Sequence, residues 1–390
     1  AMPPTAFVSA SSYTVVARAF DVAGNEDLTR STQTFTFDDT PPTSGIVAPV
    51  NDLHYNSALA TLSGGATDVT AGVAQVEVSI RRLSDSYYWN GSNFGSPSEF
   101  WNVSGTTNPW TYAMPGGAWT NNVQYAVRVK GTDLVTNPAA NIQSGLLPSS
   151  TFLYDVLVPT SVVTSPGDGT VINSLGSIGG TALDDPPGIA ELVEVSVASG
   201  PWYTTYWNGG AFSATTEYFN AAAGTATWTY PAPTLTTNTA YRMRSRVRDR
   251  ATNLETPAAA RTFTYDTTLP VSSITWPAGG AKVNDLLTVS GTAFDAIGAA
   301  VVELQISSGP LYTTRWNGTA WVSTDAYTGA TSTATWTWTR PNPTFWQDNV
   351  SYTITARARD RAGNLQSPTV TNAFDFDVSP ATAFINVPVH

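Results

Sequence analysis

The sequence has no cysteine. Disulfides, thiolate metal sites and thiol catalysis are excluded, and cysteine usage says nothing about the redox compartment. There are two histidines, His54 and His390, and neither recurs in step with the repeats described below. A histidine-based triad or metal centre in each repeat therefore cannot be built. Walker and Rossmann motifs are absent too, and paired acids such as Asp184-Asp185 come without a groove signature. The reading is a protein that is not an enzyme. Charged side chains make up 12% of the chain, against about a quarter in ordinary globular proteins. Basic residues are scarcest, 18 against 29 acids, for a net charge of −11. Neither nucleic acid nor an anionic membrane surface is an expected partner of such a chain, whereas divalent cations are compatible with it. No apolar run approaches about 18 residues, so no membrane insertion is expected. The sequence shows no signal peptide, which says nothing about secretion.

What the chain does have is one stretch written four times. It reads YTVVARAFDVAGN from Tyr13, YAVRVKGTDLVTN from Tyr125, YRMRSRVRDRATN from Tyr241 and YTITARARDRAGN from Tyr352. Each runs from a Tyr to an Asp (Asp21, Asp133, Asp249, Asp360) and on to an Asn (Asn25, Asn137, Asn253, Asn364). Between Tyr and Asp the alternation has period two, the pattern of a strand with one buried face. A period of about 110 residues marks an array of domains, each large enough to bury a core without metal or disulfide.

Aromatic-Asp pairs at Phe37-Asp38, Tyr154-Asp155, Tyr265-Asp266 and Phe376-Asp377 mark the junctions. Proline follows at Pro42 and Pro49, Pro159 and Pro166, Pro270 and Pro277, and at Pro388 after Ala381, as suits a strand at a sheet edge. Within a unit, a Gly-containing turn leads to Asp68, Asp184 or Asp295. An alternating strand and a Trp-Asn-Gly hairpin at Trp89, Trp207 or Trp316 come next, the latter with the signal of a type I′ turn. Seven or more short strands per unit and no helical stretch predict an all-β chain of tandem two-sheet sandwiches, strands A to G in order. The repeated stretch is strand F, and its Tyr stands at the position of a tyrosine corner. The expected domains are 42–155, 156–266 and 267–377. Residues 1–41 supply strands F and G of a partial unit, and 378–390 the first strand of another. The chain thus reads as a cut from a longer array. Units about 40 Å long would give an end-to-end rod on the order of 120 Å or more.

These residues resemble the bacterial immunoglobulin-like repeats of large cell-surface adhesins, whose strand F and loop read Y-x-V-x-A-x-A-x-D-x-A-G-N and whose linker reads D-T-x-x-P. The first and fourth copies match that loop fully; Thr136 and Thr252 replace its Gly, and Leu134-Val135 departs further. Fibronectin type III domains share the Tyr-led strand more distantly. The resemblance implies an immunoglobulin-like fold, an extracellular setting on a bacterial cell surface, and inter-domain Ca²⁺. Partners would be neighbouring repeats, with host or surface glycans reached through a distal module.

Two sets of residues are candidate sites. In this topology the N-terminus and the B–C and F–G loops share one end of the sandwich. Three carboxylates then converge at each junction: Asp38, Asp68 and Asp133; Asp155, Asp184 and Asp249; Asp266, Asp295 and Asp360. Oxygen ligands on loops suit Ca²⁺. Asp and Asn in such loops also often cap turns by bonding their own backbone. The other set is Trp89, Trp207 and Trp316, either an aromatic platform for sugars, which would make the chain a carbohydrate-binding array, or ordinary core. Strand order also predicts cross-strand pairs Glu77–Lys130, Glu194–Arg246 and Glu303–Arg357. The reading with most support is a structural stalk segment of a surface adhesin.

Overall fold

The computed structural model describes residues 7–136, 139–309 and 311–384. These residues contain strands, turns and bridges and no helix. The chain divides into two compact units. One comprises residues 1–161, 182–193 and 246–256, and the other 162–181, 194–245 and 257–390. The first whole sandwich lies in the former and the third in the latter.

The first sandwich sets a three-stranded sheet against a seven-stranded one. The smaller sheet runs Trp110–Ala113, Thr61–Thr67, Thr43–Ala48, which puts the proline-flanked first strand at an edge, as its composition demands. The larger runs Leu53–Tyr55, Ser149–Tyr154, Val123–Asp133, Val73–Arg82, Tyr88–Trp89, Phe94–Ser96, with Asn102–Val103 paired to Val73–Arg82. The third sandwich repeats this order around the long strand Val350–Asp360, and the middle repeat has it around Thr239–Asp249. The chain is thus a series of tandem β-sandwiches of the immunoglobulin and fibronectin III plan.

The long strand is built as its alternation requires. Tyr352, Ile354, Ala356, Ala358 and Asp360 are buried, while the residues between them are half-exposed. Its Tyr is a corner in every copy. The phenol oxygen accepts the backbone N–H five residues upstream: Thr120 for Tyr125 (2.7 Å), Thr236 for Tyr241 (2.7 Å), Gln347 for Tyr352 (2.8 Å) and Val8 for Tyr13 (2.8 Å).

Five expectations need correction or completion. The Gly-Gly pairs are not in turns. Gly64 and Gly65 lie inside the strand Thr61–Thr67, because Trp110 packs flat on that strand: a Cβ at Gly64 would sit 2.6 Å from the indole Nε1. The Trp-Asn-Gly loop is not type I′, which needs positive φ at both central residues. The loop centre is Gly91-Ser92, only the glycine has positive φ (95°), and Asn90 instead caps the N–H groups of Ser92 and Asn93 with its side-chain oxygen. After its first strand the chain changes sheets, and Leu53–Tyr55 pairs in parallel with Phe152–Tyr154. Finally, the partial first unit is a two-stranded hairpin, Ser11–Ala17 with Ser31–Phe37, closed by the rings of Phe7, Tyr13, Phe35 and Phe37. Residues 378–384 form no strand, and Pro388 and His390 lie outside the described residues.

Candidate metal centre

The long strand ends on its Asp, and alternation places that carboxylate on the buried face. Its two oxygens clamp the following Asn. The N–H of Asn364 reaches Asp360 Oδ1 at 2.8 Å and its Nδ2 reaches Oδ2 at 2.7 Å. Asn253 does the same to Asp249, and Asn25 to Asp21. In the second copy Asn137 lies outside the described residues, and the clamp on Asp133 comes from Asn141 at 2.8 and 2.7 Å. Turn-capping by these Asp residues, one of the two expected roles, is therefore present. The same amide has a second duty that the motif did not reveal. Its Nδ2 also donates to the backbone carbonyl of the junction Asp: Asn141 to Asp38 (3.2 Å), Asn253 to Asp155 (2.9 Å) and Asn364 to Asp266 (2.9 Å).

All nine predicted acids come together in the predicted threes. In each of Asp38/Asp68/Asp133, Asp155/Asp184/Asp249 and Asp266/Asp295/Asp360, one ligand atom per residue lies within 4.8 Å of the others. All are buried except Asp68, which is half-buried. The oxygens that face one another differ in how they are satisfied. In the middle cluster Asp155 Oδ1 accepts Leu157 N–H and Asp184 Oδ1 accepts Asp185 N–H, while both Oδ2 atoms are buried without a partner. In the last cluster Asp266 and Asp295 likewise have a buried, unpartnered Oδ2.

Electrostatics follow from this. Burial, then the charges of Asp155 and Asp249, push the Asp184 carboxyl up to about 6. Burial raises Asp155 as well, against the opposing Leu157 N–H. Burial also acts on Asp38, but its donors, led by Thr40, outweigh it and hold that group below the usual carboxylate value. Three close carboxylates removed from water need a counter-ion or a proton, and an all-oxygen set of this kind fits a hard divalent cation such as Ca²⁺.

The aromatic candidates end up elsewhere. Trp89, Trp207 and Trp316 are 2%, 8% and 7% exposed. The indole N–H of Trp89 donates to Tyr112 and that of Trp207 to Tyr230, both at 2.9 Å. Rings this buried present no face to a sugar, so the platform reading is set aside and the core reading stands. Two of the three cross-strand pairs are seen where strand order placed them. Glu77 faces Lys130 in register at 3.2 Å and Glu303 faces Arg357 at 2.7 Å, the latter guanidinium also lying 3.5 Å from the Tyr327 ring centre. Glu194 and Arg246, at the equivalent positions of the middle repeat, are each engaged.

No family model matches the chain, and no curated protein matches it. Among solved structures, the fibronectin(III)-like modules of Clostridium thermocellum CbhA align at 16% identity over 58% of this chain and 94% of that one, with a TM-score of 0.27. The FN1-FN3 domains of chicken CNTN1 align at 12% identity over 87% and 100% (TM-score 0.26). The three N-terminal domains of the bacteriophage RB49 highly immunogenic outer capsid protein Hoc align at 11% over 87% and 100% (TM-score 0.32). TM-scores this low carry no argument; the sandwich assignment rests on the strand order itself.

Proposed function

We propose that this chain is a spacer segment of an extracellular bacterial repeat protein, of the adhesin type its motifs resemble, whose domain junctions are stiffened by Ca²⁺. The observation that carries the reading is the recurrence, at the junctions of Asp38, Asp155 and Asp266, of three carboxylates from three separate segments: the linker and two loops of the following domain. Among the described residues no other cluster of metal-ligating side chains recurs, and the acidic, histidine-poor composition suits a structural part over a catalytic one. A cation there would tie each linker to the core-anchored end of the long strand. The test is thermal melting with Ca²⁺ and with chelator. Saturation at about 100 times Kd contributes about 2.7 kcal/mol, so a rise of several degrees is expected. Cleavage of the linkers at 155–159 and 266–270 by an added protease should slow in parallel. An unchanged melting temperature and cleavage rate would remove the calcium from this reading.

A further inference from the structure

We propose that only two of the three carboxylate clusters take the cation, Asp155/Asp184/Asp249 and Asp266/Asp295/Asp360, and that Asp38/Asp68/Asp133 is closed by its own hydrogen-bond donors. This rests on the calcium reading above and adds to it a difference between junctions that the repeated sequence conceals. All three clusters have three Asp side chains from equivalent segments, with one oxygen of each within 4.8 Å of the others. What separates them is which oxygens remain unsatisfied.

Asp155 and Asp266 are fully buried, and each keeps an Oδ2 with no partner, as do Asp184 and Asp295, which are each 8% exposed. A buried carboxylate oxygen without a donor is rare in folded proteins and calls for an unseen ion, water or proton. In the first cluster that space is filled from within. Asp38 Oδ1 accepts the hydroxyl and N–H of Thr40 and the hydroxyl of Ser9. Asp38 Oδ2 accepts the N–H of Ala71 at 3.1 Å, which also reaches Asp68 Oδ1 at 2.8 Å and so sits between the two carboxylates. Asp68 Oδ1 takes Thr70 and Gly72 as well.

For the middle cluster the local sequence explains the difference. The loop after Asp68 is Val-Thr-Ala-Gly, which offers N–H groups at every step; the loop after Asp184 is Asp-Pro-Pro-Gly, and its prolines have none to offer. Two residues after the junction Asp stands a hydroxyl in Thr40 and an aliphatic chain in Leu157. The last cluster is intermediate: Asp295 Oδ1 takes Ile297 and Gly298, and Asp266 Oδ1 takes Thr268, while both Oδ2 atoms stay open.

The experiment is a count of bound calcium on the whole chain. Protein stripped with chelator is dialysed to equilibrium against about 1 mM Ca²⁺, a level suited to extracellular sites, and protein-bound metal is measured by atomic absorption. Two ions per chain are expected, falling to one in Asp155→Asn and in Asp266→Asn and staying at two in Asp38→Asn. Three ions, or one, on the unaltered chain would overturn the inference and leave the calcium reading standing. No bound ion would overturn both. The count on the unaltered chain decides the matter even where a variant fails to fold.

Discussion

At the scale of single residues, two positions carry more than their size suggests. Gly64 has no room for a methyl group between the Trp110 indole and the Gly45 carbonyl. Gly64→Ala should destabilise the first sandwich by about 1–3 kcal/mol, the range for an overpacked core. Gly116→Ala, where nothing lies within 4 Å of the new atom, should change stability by less than about 0.5 kcal/mol; equal losses in denaturant titrations would refute the packing account. The second position is Asp184, with its carboxyl pushed up to about 6. The folded chain then holds this proton more tightly than the unfolded chain, whose Asp titrates near 3.9. The stabilisation from that proton is complete below about 4 and disappears as pH rises through about 6. His54, lowered by burial and by Arg250, acts with opposite sign in part of the same window. The informative quantity is therefore the difference between wild type and Asp184→Asn in chelator. Wild type should gain melting temperature relative to the variant from pH 7 to pH 5, and added Ca²⁺ should flatten that gain. A difference independent of pH would contradict the assignment.

At the scale of strands, the sequence was most informative where one rule acted alone. Period-two alternation placed Tyr352 through Asp360 on one buried face, and the offset from Tyr to Asp placed the corner and the cluster at opposite ends of one strand. Register follows from strand order, so the sequence alone matches Glu303 to Arg357. A double-mutant cycle on that pair should give a coupling of about 0.2–1 kcal/mol, the range for partly exposed pairs; no coupling would mean that the Tyr327 contact, not the ion pair, holds the arginine. Other features depended on distant partners and could not be read locally. Gly64-Gly65 looks like a turn until Trp110, far along the chain, is seen to lie on it. Asn141 takes the place expected of Asn137 because the loop is longer there. Which carboxylate oxygens lack donors depends on N–H directions, which no motif records.

At the scale of the whole chain, the array was legible because its markers recur about every 110 residues, and the nine acids because topology brings their loops to one pole. The sheet change after the first strand was not legible, since Leu53–Tyr55 is too short to show a period. That short segment has a mechanical consequence. In the first sandwich Leu53–Tyr55 enters near one end of the chain segment and Phe152–Tyr154 leaves at the other, and the two run side by side in parallel. In the third, Ala281–Val283 and Phe374–Phe376 do likewise. Tension on the two ends of such a domain pulls these strands along their length in opposite directions. Their hydrogen bonds are then loaded together, in shear, and must rupture nearly at once instead of opening one after another like a zip.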